Sequence, residues 1–215
     1  MSSKQKEETV SIECAPNGPY IVENLRSLQN SKGEAIPAKE VIALCRCGAS
    51  AKKPFCDGSH SSINFSDKKL TDGTLDKRDT YVGKQITVHD NRGICSHASF
   101  CADELEAVFN ADQEPWVNAN SATLQAIIDV IKKCPSGALS YSIEGVEHRD
   151  QNRPSAITVS NNGPYFVVGG IELKDVTWGK EASKEHYALC RCGKSKNIPF
   201  CDGAHRHSNF QDDNY

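Results

Sequence analysis

"CRCGKSKNIPFCDGAH" at residues 190–205 packs three cysteines and a histidine into sixteen positions, and nearly the same string, "CRCGASAKKPFCDGSH", stands at residues 45–60. A single offset of 145 residues superimposes the two strings and carries "NGPY" at 17–20 onto "NGPY" at 162–165, without a gap over 17–65. Between 43–65 and 188–210, fifteen of twenty-three positions are identical, among them Pro54/Pro199, Phe55/Phe200, Asp57/Asp202 and Phe65/Phe210. Identity this dense along one diagonal marks a duplication, so the chain holds two copies of one structural unit.

Each copy reads as β-rich. An Asn-Gly-Pro turn leads into "YIVENL" or "YFVVGG", a variable loop follows, and an apolar stretch, "VIALC" or "HYALC", delivers the first cysteine. Asp57 and Asp202 stand where a helix N-cap is expected, and a short helix starting there brings Cys56 near His60 and Cys201 near His205. Residues 77–153 follow a different pattern. "YVGKQITVHD" reads as a strand, "CSHASFC" as a cysteine loop, and Leu105, Val108 and Phe109 as one face of a helix. Leu124, Ile127, Ile128 and Ile131 mark a second helix that Pro135 ends. "YSIEGVEH" reads as a hairpin around a Glu-Gly turn, and Pro154 marks the return to the second copy. The expected fold class is α+β: two small β-rich units, 1–76 and 154–215, around an α+β insert at 77–153.

The bulk properties narrow the function. The chain has 215 residues, 38% hydrophobic content and a net charge of −3, with no basic run of the kind that phosphate backbones require, which argues against a nucleic-acid partner. The opening "MSSKQKEETV" mixes both charges without an apolar core, and no stretch has the length a spanning helix needs, so a soluble, cytoplasmic protein is expected. Ten cysteines in a reducing compartment are poor disulfide candidates and good metal ligands. Nine of them form three groups: Cys45/Cys47/Cys56, Cys95/Cys101/Cys134 and Cys190/Cys192/Cys201. The tenth, Cys14, falls opposite Val159 in the repeat and reads as a strand hydrophobe. His89, His148, His186 and His207 lack ligand spacing and read as surface or supporting residues, and Trp116 as a core residue. With neither a phosphate-cradling glycine loop nor a Ser-His-Asp set, an enzyme is not expected.

Cys-x-Cys-x8-Cys-x3-His supplies three thiolates and an imidazole, which suit tetrahedral zinc or an iron–sulfur cluster. Structural zinc sites space paired cysteines by two to four residues, so a single intervening residue favours the cluster. A catalytic thiol needs fewer cysteines than these positions duplicate.

These strings resemble the CDGSH iron–sulfur proteins, the mitoNEET-like group: "CDGSH" stands at 56–60 and "CDGAH" at 201–205. The resemblance extends to the cysteine spacing, the Pro-Phe before the third cysteine and the serine after Cys-x-Cys-Gly. It implies that Cys45, Cys47, Cys56 and His60 hold one [2Fe–2S] cluster, with two cysteines on the inner iron and Cys plus His on the outer one, and that Cys190, Cys192, Cys201 and His205 hold a second. It further implies a strand-exchanged pseudo-dimer within one chain, hence a monomer with an internal pseudo-two-fold. The chain departs from the group in placing about ninety residues between its repeats and in its expected lack of a membrane anchor.

Read against cubane ferredoxin loops, Cys95 and Cys101 take the first and third positions and Cys134-Pro135 the remote one, but the second position is Ala98. Three thiolates allow a [3Fe–4S] cluster, or a [4Fe–4S] cluster with another ligand on the fourth iron. His97, beside the gap, is the candidate; otherwise it is a loop histidine bonded to backbone. This segment resembles the divergent mono-cluster 4Fe–4S ferredoxin domain at "NRGICSHASFC", "VFNADQEPWV" and "CPSGAL".

The expected role is electron transfer to a redox protein. The first rival is cluster or iron trafficking to an apoprotein, or redox sensing, through pH-labile histidine ligands. The second is a zinc-bound interaction module.

Overall fold

The computed structural model describes residues 9–212. The first copy contributes β1 (Ser11–Cys14), β2 (Tyr20–Glu23), β3 (Leu28–Asn30), β4 (Val41–Leu44) and the one-turn helix α1 (Ser59–Ser62). The insert adds β5 (Arg78–Val82), β6 (Thr87–Asn91), α2 (Phe100–Glu104), α3 (Leu124–Ile131), β7 (Leu139–Ile143) and β8 (Val146–His148). The second copy supplies β9 (Ala156–Val159), β10 (Tyr165–Val168), β11 (Glu172–Leu173), β12 (Tyr187–Leu189) and a closing 3-10 turn, Ala204–His207.

The strands form three four-stranded sheets, β11-β1-β2-β4, β12-β10-β9-β3 and β5-β6-β7-β8. In the first two, each copy lends a strand to the other: β11 lies parallel to β1, with Ser11 opposite Glu172, and β3 lies parallel to β9, with Leu28 opposite Ile157. The exchange follows from burial. Tyr20 and Val22 alternate inward on β2, as Tyr165 and Val167 do on β10, and neither face is large enough to close a core alone. Together they build one core containing Ile12, Tyr20, Val22, Leu44, Ile157, Val159, Tyr165 and Leu189. Tyr20 and Tyr165 meet edge-to-face near its centre, ring centroids 6.0 Å apart. The pseudo-dimer is therefore one folding unit.

The insert has its own core, in which Ile127 and Ile131 of α3 pack with Val88, Leu139 and Phe109. Thr123 caps α3 by accepting the Ala126 N–H at 3.3 Å. Glu144 and Gly145 both take positive φ, the mark of a two-residue hairpin turn between β7 and β8. Two expectations change. "YVGKQITVHD" is a hairpin, because Gly83 closes a turn onto the Ile86 carbonyl at 2.9 Å, leaving β5 and β6 on either side. The helix drawn through Leu105, Val108 and Phe109 stops at Glu104; Val108 and Phe109 are buried from a turn, and Phe109 pairs with Val117 as a β-bridge. Apolar spacing alone does not separate a helical face from a compact turn that buries the same side chains. No helix among the described residues is long and apolar enough to cross a membrane.

Candidate metal centres

In each copy the strand ending in the Cys-x-Cys pair is clamped to the segment carrying the third cysteine. Cys45 N–H donates to the Pro54 carbonyl and Cys56 N–H to that of Ala43, both at 2.8 Å; Cys190 and Cys201 repeat this on Pro199 and Ala188. Pro54 and Pro199 both follow cis peptide bonds. Asp57 is not the helix cap expected of it. It accepts the N–H of Ala51 at 2.8 Å and of Ser59 at 3.0 Å, while α1 starts two residues on, after Gly58 in the left-handed region. Asp202 plays the same part on Lys196 and Ala204.

The donors are thereby gathered in pairs. Cys45 and Cys47 Sγ lie 3.8 Å apart, and Cys56 Sγ lies 3.4 Å from His60 Nδ1; in the second copy Cys190–Cys192 and Cys201–His205 repeat both distances. Two thiolates at about 2.3 Å from one tetrahedral metal are about 3.8 Å apart, so each pair has the spacing of two ligands on one ion. Among the described residues, no three His, Cys, Asp or Glu side chains gather as a single-ion site. A thiol–thiol hydrogen bond within each Cys-x-Cys pair lowers the pKa of Cys47 and of Cys192, leaving a thiolate available to a metal.

Three supporting residues in each copy escaped the sequence reading. The arginine inside each Cys-x-Cys is fully buried: Arg46 donates to the carbonyls of Gly18 at 2.8 Å and Ala15 at 2.6 Å and pairs with Asp67 at 2.8 Å. Arg191 holds Gly163, Ser160 and Asp212 in the same way. Tyr20 reaches across the pseudo-two-fold to the carbonyls of Cys190 and Pro199, each at 2.9 Å, and Tyr165 returns the contact to Cys45 and Pro54. The signal was there: Arg46, Asp67 and Tyr20 are unchanged at positions 191, 212 and 165. Arg46→Met leaves Asp67 and two carbonyls without their partner, so the domain should lose about 3 kcal/mol, read by chemical denaturation, and the first centre should load poorly.

Cys95, Cys101 and Cys134 line one cavity, together with Ala98, Asp90, Ser96 and Trp116. Cys95 follows a 3-10 turn, Cys101 lies in α2, and Cys134 closes the turn after α3 on the Ile131 carbonyl at 2.9 Å. Burial pushes the Cys95 thiol up to about 12, and Cys134 adds to this. Burial likewise lifts the Asp90 carboxyl to about 6 against the pull of Arg92. His97 is not brought into this cavity. Its backbone is left-handed, its N–H donates to Cys95 Sγ at 3.4 Å, and its ring lies over Gly203 of the second copy. Neighbourhood to Ala98 in sequence therefore does not place an imidazole in the gap: Ala98 lines the cysteine cavity, while the His97 ring packs on Gly203. Of the other histidines, His186 is buried with Ser183 and Glu185, and His148 stacks on Tyr141 at 4.9 Å.

Residues 17–61 and 162–206 match the family described as iron-binding zinc finger, CDGSH type, and residues 81–144 match the divergent 4Fe-4S mono-cluster family. The chain belongs to the CDGSH family. Its two CDGSH units flank a divergent 4Fe–4S mono-cluster domain, and it is an iron–sulfur protein. An uncharacterized protein of Escherichia coli K12, YjdI, is 36% identical over 61 residues, 28% of this chain and 80% of its own length; its counterpart in Escherichia coli O157:H7 matches equally.

The two CDGSH units differ in their surroundings. Cys56 is half-buried and a side chain at Gly58 would meet nothing, whereas Cys201 is 2% exposed and a Cβ on Gly203 would lie 2.8 Å from the His97 ring. The insert packs against the ligand segment of the second unit. Asn197 donates to the Gly93 carbonyl at 3.0 Å, and Arg206 to the His97 carbonyl at 2.8 Å and to Ser99. In the first unit these positions are Lys52 and Ser61, so the copies have diverged where one of them carries the insert. Gly58→Ala should cost only the left-handed penalty of about 1–2 kcal/mol. Gly203→Ala should also displace the cysteine loop at His97, changing the electron paramagnetic resonance of the middle centre, which Gly58→Ala leaves unchanged.

Proposed function

We propose that this chain is an electron carrier with three centres in series. Cys45, Cys47, Cys56 and His60, and Cys190, Cys192, Cys201 and His205, each take a [2Fe–2S] cluster, while Cys95, Cys101 and Cys134 hold a [4Fe–4S] or [3Fe–4S] cluster. Clusters bound there supply one-electron chemistry, with imidazole in place of thiolate raising the potential of the terminal centres.

One observation carries the proposal: the three ligand loops touch one another. The Ser96 carbonyl, next to Cys95, lies 4.0 Å from Cys201 Sγ, and Cys192 pairs with Cys47 across the pseudo-two-fold as a β-bridge. The middle set therefore adjoins the second, and the second adjoins the first. The chain's own part is to fix these contacts, bury Cys45, Cys47, Cys190, Cys192 and Cys201 away from water, and leave Cys56 and His60 partly open to a partner. The partner class is a redox protein in the cytoplasm, and the role is carriage, not catalysis. Stepwise chemical reduction followed by electron paramagnetic resonance tests this. Magnetic interaction of the second centre with both neighbours supports the series; three independent signals with no exchange of electrons between them would refute it.

The partly open Cys56–His60 pair favours a second reading, donation of the first cluster to an apoprotein. Incubation with an apo-ferredoxin separates the two: loss of the first centre's signal with gain by the acceptor supports transfer.

A further inference from the structure

Asp90 lies on β6 at a core-facing position, two residues from fully buried Val88, and is itself 1% exposed. Neither carboxylate oxygen has a hydrogen-bond partner. Arg92 Nε is 3.4 Å away, an ion pair at the limit of hydrogen-bonding distance, and that guanidinium lies over the Trp116 ring at 4.0 Å. The Trp116 indole N–H is near the carboxylate but reaches no acceptor, and Ser96 Oγ is likewise buried without a partner. Asp90, Ser96 and Trp116 all line the cavity of Cys95, Cys101, Cys134 and Ala98. A buried carboxylate without hydrogen bonds is too costly to keep in a core position unless something binds it. The cavity it lines already has three cysteines and lacks a ligand at Ala98, and carboxylate oxygen is a good donor to iron.

We infer that Asp90 is the fourth protein ligand of the middle cluster, its carboxylate binding the iron that Ala98 leaves without a thiolate. This rests on the proposal that Cys95, Cys101 and Cys134 hold a cluster. The middle centre is then a [4Fe–4S] cluster with three soft donors and one hard one, and His97 is released to its contact with Gly203.

The test uses the full chain, purified without oxygen and supplied with ferrous iron, and reads Mössbauer and electron paramagnetic resonance spectra of wild type, Asp90→Asn, Asp90→Cys, Ser96→Ala and His97→Ala. Asp90→Asn should convert the middle centre to a three-iron form with one iron fewer per chain. Asp90→Cys should restore four irons at a lower potential, and Ser96→Ala and His97→Ala should keep them. The terminal [2Fe–2S] signals report folding in each variant. An unchanged four-iron spectrum in Asp90→Asn, a three-iron centre in wild type, or loss of the fourth iron in Ser96→Ala or His97→Ala instead would overturn the assignment. Absence of acid-labile sulfide from wild type would instead overturn the cluster proposal beneath it.

Discussion

Gly48→Ala, or Gly193→Ala, is expected to empty both [2Fe–2S] sites at once, although each substitution touches one unit. Gly48 has a φ of 80°, and a Cβ on it would lie 2.5 Å from the Cys192 carbonyl oxygen; Gly193, at 70°, stands in the same relation to Cys47. The obstructing atom is backbone and belongs to the opposite ligand loop, so it cannot swing aside as a side-chain tip would. Relief requires the Cys47–Cys192 bridge to part, which moves the inner cysteine of both sets. The left-handed conformation costs an alanine about 1–2 kcal/mol and the overlap roughly 1–3 kcal/mol more, a loss of about 2–5 kcal/mol. Gly33→Ala is the control, with a φ of 82° and nothing within 4 Å, and should pay only the first of these. Iron content and thermal unfolding of the three variants check the result; a Gly48→Ala protein with a full second centre would show that the loops are independent.

The second large effect is acid bleaching of the terminal centres in sequence. Imidazole binds a metal only when its ligating nitrogen is unprotonated, so acid weakens the bonds from His60 and His205. Burial lowers the pKa of His205, and the Arg206 guanidinium adds to this. A depressed imidazole pKa means that the cation is disfavoured in the folded chain, so protonation of His205 needs a lower pH. The insert also screens Cys201, while Cys56 stays half-open. The first centre should therefore bleach at higher pH than the second, both before the fold is lost. Replacing His60 and His205 by Cys should lower both potentials and slow the acid loss. Visible absorbance and circular dichroism during pH jumps give the order; equal lability in the double variant would remove the imidazole as the switch, and with it the main support for pH-driven release.

The duplication was legible because ligand spacing survives only where geometry demands it, and the same offset already placed Tyr20, Arg46 and Asp67 opposite identical residues. What they do was not legible, since a buried arginine bonded to carbonyls looks in sequence like any charged residue between two cysteines. Strand exchange is likewise invisible to local pattern: β3 and β11 are short, and their partners lie more than a hundred residues away. Asp90 was missed because it precedes the cysteine loop on a strand, outside any spacing rule, and only its burial beside the three thiolates gives it away. The unequal setting of the two CDGSH units came from the insert, whose contacts with the second unit include Asn197 and Arg206, residues that no motif singles out.

Quantitation of iron, acid-labile sulfide and zinc in protein purified without oxygen, with Mössbauer spectroscopy on the same sample, tests the central claim most directly. The account predicts iron and sulfide in equal amounts and no bound zinc, with two [2Fe–2S] centres whose irons are inequivalent, one held by two cysteines and one by cysteine and histidine, beside a separate cubane signal. Zinc bound at the Cys-x-Cys sites without acid-labile sulfide would contradict it.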